Sequence, residues 1–302
     1  MSSVTTGSAS AGSSRPGWFN GAVVYDFCRQ QPMGVLGALI IATMILAGLL
    51  AEWVAPHDPV AVDFAAVLAP PSLEHPAGTD SFGRDIFSRL IFGARTAMII
   101  SLIAALAGCT AGAFLGAASA YFGGRVDAVI QRGVDIFLSF PIIVLALIVV
   151  SVLGRQPVLG FDLNLIVAIA LPMIPKVARV LRAAALTVVV MPYVDAARAL
   201  GYSHRRILVR HIAPNLMAPY LIMLTSYIAQ AILLEASLSY LGLGVTEPTP
   251  AWGLMMSGSA ADSFKEAPWV VVFPGLAISL AVFAFNLYGD ALRDWLDPRF
   301  KV

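Results

Sequence analysis

Two cysteines, four histidines and a sparse set of charges define this chain first by what it lacks. Cys28 stands ahead of the first long apolar run and Cys109 lies inside a later one, which speaks against a disulfide or a thiolate metal site. Charged residues are 12% of the 302, about half the share of a soluble domain, and a formal net charge of +1 points to no nucleic acid or other charged partner. No G-x-x-x-x-G-K-S/T loop is present to cradle nucleotide phosphates. H-E-x-x-H and G-x-S-x-G motifs are missing too. His75 alone offers no metal site. Without a catalytic constellation, the chain by itself does not read as an enzyme.

What is abundant is hydrocarbon. The hydrophobic share is 59% and the mean hydropathy +0.82, values of a polytopic membrane protein. Runs of about twenty apolar residues suffice to cross some 30 Å of hydrocarbon. They predict an all-α chain of about six transmembrane helices, over 33–54, 96–121, 136–152, 163–180, 220–241 and 269–288. Residues 1–17 are Ser-, Gly- and Thr-rich and read as a disordered tail; a cleaved signal peptide fits poorly, because the first apolar run is span-length. Residues 18–32 mix aromatic and polar positions and read as a short interfacial helix. A proline-rich outer loop follows over 55–92, then a helical core over 93–289 and a polar tail over 290–302.

Three features inside the spans invite a functional reading. Gly108, Gly112, Gly116 and Ala120 recur every four residues, the spacing that lets helix backbones approach closely in lipid; an ordinary contact within the chain is the favoured explanation. Pro141 lies in the first turns of the predicted third span, where it is either a static kink or a hinge at a pore or gate. Glu235 interrupts the fifth span. An ionised acid there costs about 2.5–3.5 kcal/mol, and the surrounding Leu and Ile return about 5 kcal/mol, so the span still inserts and the carboxylate faces protein or a water-filled path. Lys176, Arg179 and Arg182 share one helix face, with water and lipid headgroups as their default contacts.

The most distinctive stretch is the basic segment 192–215. Pro192 can open a helix, Gly201 suits the left-handed position past its end, Ser203 suits the cap of a second helix, and Pro214 is expected to stop that helix. Taken alone, it is a basic loop between spans. Its pattern of Tyr193, Asp195, Ala196, Ala197, Arg198, Ala199, Leu200, Gly201, Ile207, Arg210, His211 and Pro214 resembles the EAA loop of permease subunits of binding-protein-dependent ABC importers, with Asp195 where that loop usually carries Glu. Gly78, Thr79, Asp80, Gly83, Arg84, Asp85, Ser88 and Arg89 resemble the outer loop of the dipeptide, oligopeptide and nickel branch of that family; local salt bridges and caps are the structural alternative for these residues. One departure stands out: Val188 to Met191 is apolar where relatives usually carry charge.

The resemblance implies a type I ABC importer transmembrane domain in the bacterial inner membrane. It implies a heterodimer with a homologous permease, two cytoplasmic ATPase subunits that hold ATP and Mg, and an extracytoplasmic substrate-binding protein. Segment 192–215 would be the coupling helix, and di- or oligopeptides the first expectation for cargo. The positive-inside rule agrees. With both termini cytoplasmic, only Arg84, Arg89, Arg95, Arg155 and Lys265 of the nineteen Lys and Arg fall outside. The alternatives are a secondary transporter or channel driven by an ion gradient, for which Glu235 is the one candidate residue, and a membrane enzyme, for which no catalytic set exists.

Overall fold

A computed structural model describes residues 21–154, 157–158 and 161–296. The expected tail over 1–17, positions 18–20 and the end of the chain from 297 lie outside the described residues. Helix α1 (Gly21–Gln30) runs into α2 (Pro32–Leu49), which Pro32 opens, and a short turn α3 (Ala51–Val54) follows. Trp53 is 84% exposed there, as a headgroup-level aromatic would be. After the proline-rich loop, α4 (Ile86–Phe122) runs for 37 residues, about 55 Å. It begins at Ile86, so Ser88 and Arg89 belong to its first turn and not to the loop expected over 55–92. Asp85 caps it, accepting from the Ser88 amide at 2.8 Å.

Helix α4 is the axis of the bundle. Its small-residue stripe lies within the chain against α7 (Leu163–Ala170) and α8 (Ile174–Val189). A Cβ on Gly108 would stand 2.7 Å from the Ala170 carbonyl, and one on Gly112 would stand 2.7 Å from the Val177 Cβ. A single three-residue turn (Leu171–Met173) joins α7 to α8, so the fourth span is one run to Val189 and longer than 163–180. Pro172 and Pro175 sit in first-turn positions, where a missing amide breaks little.

The predicted third span is corrected. Helix α5 (Gly124–Leu138) and α6 (Ile142–Leu153) meet at 93° across Ser139–Pro141. Pro141 is the cap residue of α6 with extended ψ, so it starts a separate helix instead of kinking a continuous one. The cause is local: a proline disfavours helical geometry at the residue before it, and its own lack of an amide is harmless at a helix start. Carboxylates on α5 also meet the basic face of α8. Asp127 pairs with Arg182 and Asp135 with Arg179, so both arginines have a carboxylate partner within the chain, while Arg179 stays half-exposed. A two-residue antiparallel hairpin, Pro157–Val158 with Phe161–Asp162, links α6 to α7.

The remaining elements are α9 (Pro192–Ala199), α10 (His204–Ile207), α11 (Met217–Tyr240), two short turns α12 (Trp252–Met255) and α13 (Ser259–Asp262), and α14 (Trp269–Leu296). Among the described residues, five segments are long and apolar enough to cross a membrane, and six if the α5–α6 pair makes one span. Helices α11 and α14 pack together and against α4, while α2 lies outermost, with Gly37 close to the Ala284 carbonyl of α14.

Candidate functional site

Two polar constellations stand at opposite ends of the bundle. At the basic end, α9 closes in the paired C-terminal bonds that a glycine in left-handed geometry permits: Gly201 N–H donates to Arg198 O at 2.9 Å and Tyr202 N–H to Ala197 O at 3.2 Å. Gly201 has φ +73° with open space where a Cβ would stand, so backbone geometry alone demands it. Ser203 then caps α10, accepting from Arg206 N.

Pro214 does not stop the second helix. A π-helical turn over Leu208–Ile212 and a 3₁₀ turn over Ala213–Leu216 carry the chain through it, so helical backbone is unbroken from His204 to Tyr240. The widened turn, with Ala213 N–H reaching back to Leu208 O, absorbs the amide that Pro214 lacks. The second arm of the turn is therefore one body with the α11 span.

Val194, Ala197, Ile207 and Ile212 face inward and are almost fully buried. His211 is half-buried, stacked on Tyr202 and close to Tyr193. Tyr193, Asp195, Ala196, Arg198, Ala199, Leu200, Gly201, Arg210 and Pro214 are exposed. Asp195 and Arg198 form a solvent-facing pair at 3.0 Å. The α4 terminus braces this knob: Tyr121 Oη lies 2.8 Å from His204 Nδ1, and Arg198 stands over the Tyr121 ring. At the tip Val190 is 73% and Leu200 71% exposed, with Met191 beside them at 43%. The apolar departure at 188–191 is thus half outside.

At the other end, Gly78 and Gly83 take positive φ, and a Cβ on Gly83 would collide with the Asp63 carbonyl. Buried Thr79 bonds Ala66 O and the Ala69 amide. Asp80 accepts from the Phe82 and Arg84 amides and from Arg84 Nε at 2.7 Å. Arg84 grips Glu247 with both terminal nitrogens, at 2.7 and 3.3 Å. Burial pulls the Arg84 pKa down, but Glu247 and Asp80 outweigh it and the net direction is upward. Arg89, 1% exposed, donates to Pro59 O and lies 3.5 Å from Glu247. Trp252 is buried, with Nε1 donating to Leu90 O.

The sequence over this architecture matches a family model described as binding-protein-dependent transport system inner membrane component across residues 108–302, more than half of the chain. The chain belongs to that family. An N-terminal transmembrane domain of oligopeptide transport permease C matches residues 28–71. A permease protein named for a peptide transport system in Brucella suis biovar 1 is 41% identical over 267 residues, 88% of each chain. The glutathione transport system permease protein GsiD of Escherichia coli O157:H7 is 41% identical over 274 residues, covering 90% of this chain and 88% of the relative. The chain is accordingly an integral inner-membrane permease of the peptide, oligopeptide and nickel branch of ABC importers.

In this permease the structure brings the EAA-type residues into one knob and the eight outer-loop residues into one lock, and it separates the two remaining candidates. Pro141 is exposed at the α5–α6 corner. Glu235 is 0% exposed near the far end of α11; its Oε1 accepts from Ser239 Oγ at 2.7 Å, while Oε2 has no hydrogen-bond partner among the described residues. Sequence reasoning missed Tyr121, His204 and Tyr202, which brace the knob, and Glu247 and Trp252, which complete the lock. Arg84 and Glu247 are 163 positions apart, a distance over which spacing carries no signal.

Proposed function

We propose that this chain is a peptide-importing permease subunit whose knob at 192–215 docks on an ATPase subunit in the cytoplasm. Its assembly comprises a homologous permease as heterodimer partner, two ATPase subunits that hold ATP and Mg, and an extracytoplasmic binding protein. Both termini lie in the cytoplasm. The observation that carries this reading is the continuity of the knob with α11, from His204 to Tyr240, combined with the bare apolar tip at Val190, Met191 and Leu200. Switching a two-state pore from 1:99 to 99:1 takes about 5.5 kcal/mol. An exposed pair such as Asp195–Arg198 offers at most about 1 kcal/mol. Burying the exposed fractions of Val190, Met191 and Leu200 is worth roughly 4 kcal/mol of transfer free energy, so apolar burial and not the ion pair is the larger contribution to docking.

Short peptides are the cargo class, glutathione-like tripeptides included, because relatives 41% identical are named for peptide and glutathione transport. The ion-driven alternative rests on Glu235, which is sealed among helix contacts. Reconstitution of the five-subunit assembly in proteoliposomes tests the proposal. Uptake of labelled di- and tripeptides is expected only with ATP, ATPase subunits and binding protein together. Uptake by the isolated chain on an ion gradient would overturn it.

A further inference from the structure

We propose that His57, His75 and Asp85 form a binding site for a divalent ion of the zinc class, at the end of the bundle opposite the coupling knob. The three residues come from separate points of the loop and from the cap of α4, yet one donor atom from each lies within 4.8 Å of the others. His75 Nδ1 stands 3.0 Å from Asp85 Oδ1, and His57 Nδ1 stands 3.8 Å from Asp85 Oδ2. The two imidazoles face each other with ring centroids 4.8 Å apart.

The carboxylate is already divided between two tasks. Its Oδ2 caps α4, accepting from the Ser88 amide at 2.8 Å and from Ser88 Oγ at 2.6 Å. Among the described residues its Oδ1 has only the His75 ring nitrogen as hydrogen-bond partner and is the oxygen left for an ion. His57 Nδ1 is buried without a hydrogen-bond partner among the described residues. A buried ring nitrogen aimed at a buried carboxylate is a polar group whose burial cost has not been met. An ion supplies what is missing.

The chemistry of the set selects the ion. Two imidazole nitrogens and one carboxylate oxygen suit zinc and its late-transition neighbours, whereas magnesium and calcium prefer oxygen alone. In a tetrahedral zinc site, donors stand about 3.3 Å apart, given bonds of about 2.0–2.1 Å. The His75–Asp85 spacing is already of that size, and a modest swing of His57, whose side chain is about one third exposed, closes the rest. Three protein ligands leave a fourth position for water. Binding would pin the segment between His57 and His75 onto the start of α4, beside Thr79, Asp80 and Arg84 of the lock.

The test uses the full chain with a tag free of histidine, stripped with chelator and titrated with zinc chloride. One equivalent per chain is expected to survive gel filtration. Cobalt in its place is expected to give a visible d–d band. His57→Ala should weaken zinc binding by at least about tenfold, and His57→Ala/His75→Ala should abolish both binding and the cobalt band. His57 is the chosen site because its Nδ1 makes no hydrogen bond among the described residues, whereas Asp85 also caps α4. Backbone hydrogen exchange over 57–85 should slow with zinc in the natural chain and not in the double variant. Substoichiometric binding, or equal affinity in the double variant, would overturn the site.

Discussion

Gly201 carries the turn of the knob through φ alone, since nothing crowds the place of its Cβ. A side chain there costs about 1–2 kcal/mol, more when β-branched and less for Asn, which tolerates left-handed geometry. Gly201→Val is expected to insert normally but to lose most peptide-stimulated ATP hydrolysis in the assembled transporter, while Gly201→Asn keeps it. Equal stimulation in both would refute a geometric role. At the lock, Glu247 accepts two hydrogen bonds from Arg84 and lies 3.5 Å from the buried Arg89 guanidinium. Glu247→Gln removes the charge but keeps the shape. It should lower stability by about 2 kcal/mol, below the range for a fully buried pair because Glu247 is half-exposed. A thermal shift assay in detergent reads this as a lower midpoint.

Among the described helices, the α4–α8 contact is the most extensive and the most readable from sequence. Four-residue spacing of small residues is a local signal that the sequence itself carries. Gly112→Leu would drive a side chain into Val177 and the Ile174 carbonyl, and overpacking of this kind costs about 1–3 kcal/mol or more. The expected result is loss of the monodisperse species on gel filtration, whereas Gly133→Ala on α5, a position with open space, should behave as the natural chain. The α5–α6 corner was not readable in the same way. A proline announces that a helix changes there, but direction depends on what the next segment packs against. The Asp127–Arg182 and Asp135–Arg179 pairs that hold α5 on α8 join positions 55 and 44 residues apart. The helix–glycine–helix order of 192–212 was legible for the opposite reason: Pro192, Gly201 and Ser203 each act on their own neighbours. Pro214 misled because a π-helical turn can house a missing amide, and no residue type reports that in advance.

For the molecule as a whole, the class and every span but the third followed from hydropathy, while the α5–α6 corner, the lock, the braces of the knob and the histidine pair with Asp85 depend on chain meeting chain. An assembly-level prediction follows from the bare tip. In a Cys28→Ser background, Leu200→Cys should cross-link to the ATPase subunit, with a yield that changes between nucleotide-free and ATP-bound states. Buried Cys109 stays silent. Cys placed at Trp53, exposed at the opposite end, should give no such product under either condition.

The unbroken helix from His204 to Tyr240 has a mechanical corollary. A stiff shaft of about 55 Å held at one crossing turns a push into rotation about a fulcrum, and its two arms sweep in opposite senses. With the packing of α11 on α4 as that fulcrum, an inward nudge of an ångström or two on the knob would reappear as an outward swing of comparable size beside Ser239 and Val245. One rod would then pull one doorway shut as it draws the other open, with no loop between them in which the motion could be lost.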